Sequence, residues 1–201
     1  MISTIVFDLG NVLLPFDYTK PIEYFNNLKP GLGDKFADQY RANYHIHRNY
    51  ESGKISTDEF LSIMTGWLDK SVTAEEFTRI FSDIFTPNED VISLLPKLKK
   101  NYQLCLLSNT SELHRENGYK DHEYLKYFDK LFLSFEVGYV KPESEIYKAV
   151  ESYTKKPSSE HLFIDDIAEY VEGAKSCGWD AIQFTGYDNL IAELKLRKII
   201  F

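Results

Sequence analysis

The chain has 201 residues, of which 43% are hydrophobic and 15% aromatic, and it carries a formal net charge of -8 at pH 7. That length and apolar content specify a folded globule, either one domain with an insertion or two small ones, and exclude a disordered tail. The acidity disfavours nonspecific binding to nucleic acid or to an anionic membrane, so a negatively charged substrate must be captured by a local site against the overall field.

In chain order, the apolar run Thr4–Phe7 reads as a strand that begins almost at once. Met1–Phe7 lacks the basic lead of a signal peptide, and no apolar run is long enough to cross a bilayer. A cytoplasmic location is the expectation. From about Asp17 to Thr86 only helix signals follow. Pro21 suits a first helical turn, and Pro30-Gly31 and Ser52-Gly53 punctuate loops. Ser56-Thr57-Asp58-Glu59 and Thr73-Ala74-Glu75-Glu76 both fit a capping box, in which the first side chain and the Glu exchange hydrogen bonds with free amides.

Beyond this stretch, the patterns predict a helix over Val91–Lys100, strands over Gln103–Leu107 and Leu131–Ser134, and a helix over Glu143–Tyr153. A strand over His161–Ile164, a helix over Glu169–Cys177 and a weaker strand over Ala181–Phe184 complete the chain. Apolar strands alternating with amphipathic helices predict an α/β fold, a parallel sheet covered on both faces. An all-helical insertion directly after the first strand would sit over the carboxyl ends of the strands, where open α/β sheets bind ligands. Cys105 and Cys177 form no Cys-x-x-Cys pair and are expected as reduced, buried thiols.

Four segments near strand ends carry chemistry. Asp8 closes the first strand, and Gly10 lets backbone approach a phosphate, although Asp-x-Gly after a strand is also an ordinary turn. Ser108-Asn109-Thr110 closes the second strong strand and suits either an oxyanion cradle or a helix N-cap. Lys141, before Pro142, is either a surface charge or a cation able to neutralise a carboxylate and a phosphate. Asp165-Asp166 repel one another unless a cation compensates them, and hard oxygen ligands are what Mg²⁺ requires; the alternative is an acidic loop capping a helix. One parallel sheet would bring all four segments to a common edge. Together they supply a nucleophile, an oxyanion donor, a cation and a metal-binding carboxylate pair, the parts of a phosphoryl-transfer site.

In these segments the chain resembles the haloacid dehalogenase superfamily over essentially its whole length. The matching residues are Phe7-Asp8-Leu9-Gly10-Asn11-Val12, Leu107-Ser108-Asn109-Thr110, Lys141-Pro142 with Tyr147 downstream, and Phe163-Ile164-Asp165-Asp166. Glu51-Ser52-Gly53-Lys54-Ile55-Ser56 is similar to the mobile cap of that superfamily, and Asp8-Leu9-Gly10-Asn11-Val12 is shared with its α-D-glucose-1-phosphate phosphatase branch. The resemblance implies a Rossmann-like core over residues 1–16 and 87–201 and a helical cap over 17–86. It implies an aspartyl-phosphate on Asp8, with Mg²⁺ held by Asp8, the Gly10 carbonyl, Asp165 and Asp166. Leu9, Gly10, Ser108 and Asn109 would bind phosphate, and Lys141 would offset charge. The implied partner is a small phosphorylated substrate, such as a hexose 1-phosphate, with no nucleic acid and no membrane; oligomeric state is not specified.

Two departures stand out. Most phosphatases of the superfamily carry an aspartate two residues after the nucleophile as general acid and base, where this chain has Gly10. Asp17 could take its place. An asparagine is common where this chain has Tyr170, so support of the Asp165-Asp166 loop is expected to differ. Other features are given bland readings. His45 and His47, two residues apart, fall on different helix faces and suggest no metal site. His114, close after Ser108-Asn109, could line the pocket but is expected on a helix surface, and Tyr119, Tyr124, Tyr127 and Phe128 are expected to pack in a core. The alternatives to a phosphatase are a 2-haloacid dehalogenase-type hydrolase, against which Asp165-Asp166 argues, and a noncatalytic phosphate-binding relative.

Overall fold

β1 (Thr4–Phe7) forms because four consecutive β-branched or aromatic residues are all buried in the centre of a sheet. The computed structural model describes residues 1–201. Its other strands are β2 (Gln103–Ser108), β3 (Lys130–Leu133), β4 (His161–Asp165) and β5 (Asp180–Gln183), all parallel, in the order β3-β2-β1-β4-β5. Val6 lies opposite Cys105 on one side and Phe163 on the other. The two-residue period of the strands divides them between two cores. Ile5, Phe7, Leu104, Leu106, Leu162 and Ile164 enter one, and Val6, Cys105, Leu107 and Phe163 the other.

The helical insertion comprises α1 (Thr19–Leu28), α2 (Leu32–Ala42), α3 (Tyr44–Glu51), α4 (Thr57–Trp67) and α5 (Ala74–Ser82), followed by two short pieces, α6 (Glu89–Ile92) and α7 (Leu95–Leu98). The single helix expected over Val91–Lys100 is therefore broken. Pro96, in the first turn of α7, has no N–H to continue a helix from α6. The cap has its own core, rich in phenylalanine: Phe25, Phe36, Phe60, Phe77 and Phe81. Each such ring contributes roughly 1.5–3 kcal/mol on burial. The two connections to the sheet run side by side, with Asp17 N–H donating to the Ile84 carbonyl at 3.0 Å and Thr86 N–H to the Pro15 carbonyl at 2.9 Å. The fold is the Rossmann-like sheet with a helical cap inserted after the first strand that the motifs imply.

Both capping bonds form at Ser56 and Glu59. At Thr73 only half of the box exists: Glu76 N–H donates to the threonine hydroxyl, but the Glu76 carboxylate accepts from Tyr24 Oη at 3.0 Å. A tertiary partner has displaced the local one. β3 ends one residue earlier than expected, because the Ser134 hydroxyl turns inward to the Thr110 backbone, accepting from its N–H at 2.9 Å and donating to its carbonyl at 3.0 Å. Ser134 instead opens the short helix α9 (Ser134–Val137), after the single turn α8 (Glu112–His114). α10 (Ser144–Thr154) and α11 (Ala168–Ser176) cover one face of the sheet, while α12 (Tyr187–Leu196) packs on the other. Both cysteines are free thiols, Cys105 buried and Cys177 only half-buried. No helix is long and apolar enough to cross a membrane.

Candidate active site

Asp8, Ser108 and Asp165-Asp166 stand at the carboxyl ends of β1, β2 and β4, which are adjacent strands. The crevice beyond them is where a parallel sheet reverses its winding and binds ligands. Lys141 reaches the same point from the loop before α10, with its Nζ donating to Asp8 Oδ1 at 2.7 Å and to Asp165 Oδ2 at 2.6 Å. It is one of the largest fully buried side chains in the molecule. Burial opposes its charge, but Asp165 and Asp8 more than offset that and hold the ammonium form. The surface-charge reading of Lys141 is thereby excluded.

Asn109 braces this lysine. Its amide donates to the Lys141 carbonyl at 3.1 Å and its carbonyl accepts from the Lys141 N–H at 2.8 Å, so both ends of the side chain are committed to backbone. The N-cap reading of Ser108-Asn109 does not hold, because Ser111 is the residue that caps α8. Tyr170, at a position where an asparagine is common in the superfamily, supports the acidic loop in another way. Its carbonyl accepts from Tyr147 Oη at 2.8 Å, and its ring centroid lies 5.0 Å from Lys141 Nζ.

Asp8, Asp165 and Asp166 offer carboxylate oxygens that all lie within 4.8 Å of one another. Burial, reinforced by the charges of Asp165 and Asp166, pushes Asp8 above the usual carboxylate range against the pull of Lys141. Burial likewise pushes Asp166 up, although Asn11 Nδ2 donates to it at 3.1 Å. Three crowded carboxylates facing one ammonium are electrostatically undercompensated, and a divalent cation would supply the missing positive charge. Hard oxygen donors with room for waters and a phosphate oxygen fit Mg²⁺. The Gly10 carbonyl accepts from Val12 N–H at 2.7 Å and keeps a second lone pair for such an ion.

The cap closes the crevice with residues to which sequence assigned no catalytic or binding role. Arg48 Nη2 donates to the Lys141 carbonyl at 3.0 Å and its Nη1 to Glu51 Oε2 at 3.1 Å. His47 Nε2 lies 3.2 Å from Glu51 Oε1. Arg48 and Glu51 are three residues apart and His47 and Glu51 four, spacings that put all of them on one face of α3 and were legible in advance. Above the site lies a cavity of about 330 Å³, walled by Gly10, Phe16, Tyr44, Glu51, Ser108 and His114 among others. It adjoins a smaller one of about 120 Å³ that contains Asp8, Lys141 and Asp166.

His114 is thus a buried pocket residue rather than a surface one, stacked on Phe81 with ring centroids 4.8 Å apart. A carbonyl only accepts, so the 3.2 Å contact from Nε2 to the Phe81 oxygen places the proton on Nε2. Burial, with His47 nearby, pushes its pKa down to about 3. Asp17 is exposed, and its Oδ1 accepts from the Thr19 N–H at 2.8 Å and hydroxyl at 2.6 Å, which hold it below the usual carboxylate range. An acid so held is poorly suited to donating a proton, and Asp17 lines neither cavity. His45 is exposed while His47 is buried, the opposite placement their spacing implies, and the rings of Tyr119, Tyr124 and Phe128 lie in the core.

The model of the haloacid dehalogenase-like hydrolases matches residues 2–178. The chain is 31% identical over 193 residues to the D-ribitol-5-phosphate phosphatase of Bacteroides thetaiotaomicron, covering 91% of this chain and 92% of that protein. It is 26% identical to a phosphorylated carbohydrates phosphatase of Thermotoga maritima, covering 90% and 83%. A haloacid dehalogenase family enzyme of Bacteroides thetaiotaomicron, solved in complex with magnesium and inorganic phosphate, superposes with a TM-score of 0.77 at 28% identity, covering 90% of this chain and 93% of that one. With the crevice geometry, these matches establish that the chain belongs to the haloacid dehalogenase-like hydrolases.

Proposed function

We propose that the chain is a magnesium-dependent phosphatase acting on small phosphorylated sugars or sugar alcohols, with Asp8 as the nucleophile. The observation that carries this reading is the buried Lys141 bridging Asp8 and Asp165, with Asp166 within the same 4.8 Å carboxylate cluster. A lysine so placed keeps Asp8 oriented and partly neutralised while an anionic ester approaches.

In the proposed reaction a carboxylate oxygen of Asp8 bonds to phosphorus as the ester oxygen departs, giving an aspartyl-phosphate that water hydrolyses to phosphate and free Asp8. Asp8, the Gly10 carbonyl, Asp165 and Asp166 would hold a magnesium ion, which when bound would supply positive charge beside the phosphate oxygens. Ser108 donates its hydroxyl to a phosphate oxygen, as do backbone amides around Leu9 and Gly10. Asn109 acts through the bonds it makes to Lys141. No side chain at position 10 can protonate the leaving oxygen, a group that typically contributes about 10²–10⁴-fold in rate.

Within the substrate class, two finer readings compete. The missing acid favours esters with an acidic leaving oxygen, such as a hexose 1-phosphate, and the motif shared with α-D-glucose-1-phosphate phosphatases points the same way. Similarity to a D-ribitol-5-phosphate phosphatase supports a five-carbon primary ester instead. A dehalogenase reading is disfavoured by Asp165 and Asp166, whose charges would repel a carboxylate substrate. Turnover of a panel of monoesters with magnesium and with a chelator tests the proposal. Magnesium-dependent release of phosphate is the expected result, and no release from any ester overturns it.

A further inference from the structure

Glu51 is a buried carboxylate of the cap that borders the site. It is 7% exposed, at the C-terminal end of α3, where a negative charge opposes the helix dipole. Burial alone would raise its pKa, but His47 and Arg48 together outweigh that and hold the carboxylate form. The two partners occupy one oxygen each, at 3.2 and 3.1 Å. A carboxylate has about four acceptor sites, so capacity remains.

Its position gives that capacity a use. Five residues line both the larger cavity and the compartment holding Asp8, namely Gly10, Phe16, Tyr44, Glu51 and Asn109, and Glu51 is the only charged one. Glu51 thus stands on the wall shared by the two compartments. The larger cavity has no lysine or arginine in its wall. The cations of the smaller compartment are already engaged, Lys141 by Asp8 and Asp165, and Arg48 by Glu51 and the Lys141 carbonyl. A second anionic group on the leaving group would therefore meet carboxylate oxygens whose countercharge is already engaged, and no free lysine or arginine. A neutral, hydroxyl-bearing one would find an acceptor between the aromatic walls of Tyr44 and Phe16. The volume, about 330 Å³, is at the small end of the range for ligand pockets.

We propose that Glu51 is the specificity-determining residue, accepting hydrogen bonds from hydroxyls of a neutral polyhydroxylated leaving group and excluding leaving groups that carry a second phosphate or a carboxylate. This rests on the phosphatase reading above. Hydrogen bonds to charged groups and like-charge repulsion set the scale of each effect at roughly tenfold to hundredfold.

The test compares kcat/KM of the magnesium-loaded enzyme for a pentitol phosphate, a pentose bisphosphate and phenyl phosphate, whose leaving group bears no further hydroxyl or charge. The wild type should prefer the pentitol ester over the bisphosphate by at least about tenfold. Glu51→Ala should lower the pentitol-to-phenyl ratio by about tenfold or more, and Glu51→Gln, which removes charge and keeps shape, should narrow the discrimination against the bisphosphate. A wild type that accepts the bisphosphate equally overturns the inference without any variant, so misfolding of either substitution does not remove the test. Ratios unmoved in folded variants overturn it as well. A wild type that turns over the phenyl ester with unmoved ratios fails the inference alone, whereas absence of turnover of every ester removes the phosphatase reading with it.

Discussion

Arg48, a cap residue, donates from Nη2 to the main-chain carbonyl of Lys141 at 3.0 Å, and the side chain of that same lysine lies 2.7 Å from the Asp8 carboxylate. One residue of the core is thus gripped at its backbone by the cap and at its ammonium by Asp8, the proposed nucleophile. Removing the guanidinium frees the loop that carries Lys141. Arg48→Ala is expected to lower kcat by about tenfold to hundredfold, since small misplacements of a catalytic group are costly. Arg48→Lys should recover only part of this, because one ammonium cannot reproduce the forked bonds to Glu51 and the carbonyl. Full activity in the Ala variant would show that the lysine loop is held without the cap.

Asp8→Asn is expected to reduce turnover by at least about 10³-fold, because an amide oxygen does not serve as the nucleophile. The fold should persist, since Lys141 keeps Asp165 as a partner. A fluoride mimic of phosphate should bind at position 8 of the wild type, and appreciable turnover by the variant would remove Asp8 from the mechanism.

The two motif aspartates should separate in their effects on stability. Asp165 is fully buried and bonded to Lys141, so Asp165→Asn strips a buried cation of one of its partners and should destabilise the metal-free protein by roughly 3 kcal/mol. Asp166 is partly exposed and repelled by its neighbours, so Asp166→Asn should be neutral or raise the melting temperature of the metal-free protein. Each should weaken magnesium binding strongly in calorimetry. Equal shifts in melting temperature would contradict the assigned roles of Lys141's partners.

Gly10→Asp tests the missing acid directly. A Cβ built at Gly10 meets Phe16 Cε1 at 3.1 Å, so the phenylalanine ring occupies the approach and has to shift by a few tenths of an ångström. Phe16 is 38% exposed and free to do so. The substituted enzyme is expected to gain about tenfold or more on alkyl phosphates and to show a flatter dependence of the phosphorylation step on leaving-group pKa. No gain in the Gly10→Asp, Phe16→Ala double variant would show that leaving-group protonation is already supplied.

His114 should mark the pH dependence of stability. Its pKa is lowered from 6.5 to about 3 in the folded protein, chiefly by burial, so the unfolded chain binds the proton more readily. The contribution of the neutral ring is present above pH 6.5 and is lost progressively as pH falls toward 3. Between pH 6.5 and 5, where few carboxylates titrate, the melting temperature of the wild type should fall more than that of His114→Gln. Parallel curves would mean that protonation of this ring is tolerated.

The order of elements and the positions of Asp8, Asp165 and Asp166 were legible because each ends or follows an apolar run that only a buried parallel strand explains, whereas Lys141 lies in a loop and stood out only through the Lys141-Pro142 motif. Asn109 was legible as a site residue, but its two bonds to Lys141 were not, since they join segments with no common periodicity. Arg48 and Glu51 were missed for a different reason. Charges spaced three and four apart on a helix usually face solvent, and nothing local indicates that this face of α3 closes on the core. The broken helix at Pro96 was readable from the proline alone. The half-formed box at Thr73 was not, because Tyr24, its competitor, lies 52 residues away from Glu76.

The central place of β1 sets the order in which the molecule can assemble. Thr4 pairs with Gln103 and with His161, so β1, earliest of the five strands in chain order, waits for partners about a hundred and about a hundred and sixty residues later. Closing such long loops is entropically slow, and contacts of high sequence separation lower folding rates. The aromatic cluster of the insertion draws instead on one contiguous stretch of chain, apart from Leu113. During synthesis the cap therefore has nearly everything it needs to condense while Thr-Ile-Val-Phe remains an unpaired apolar edge, exposed to association with other chains. Asp8, whose N–H donates to the Ile164 carbonyl, takes its final position only when β4, the strand bearing Asp165, docks beside β1.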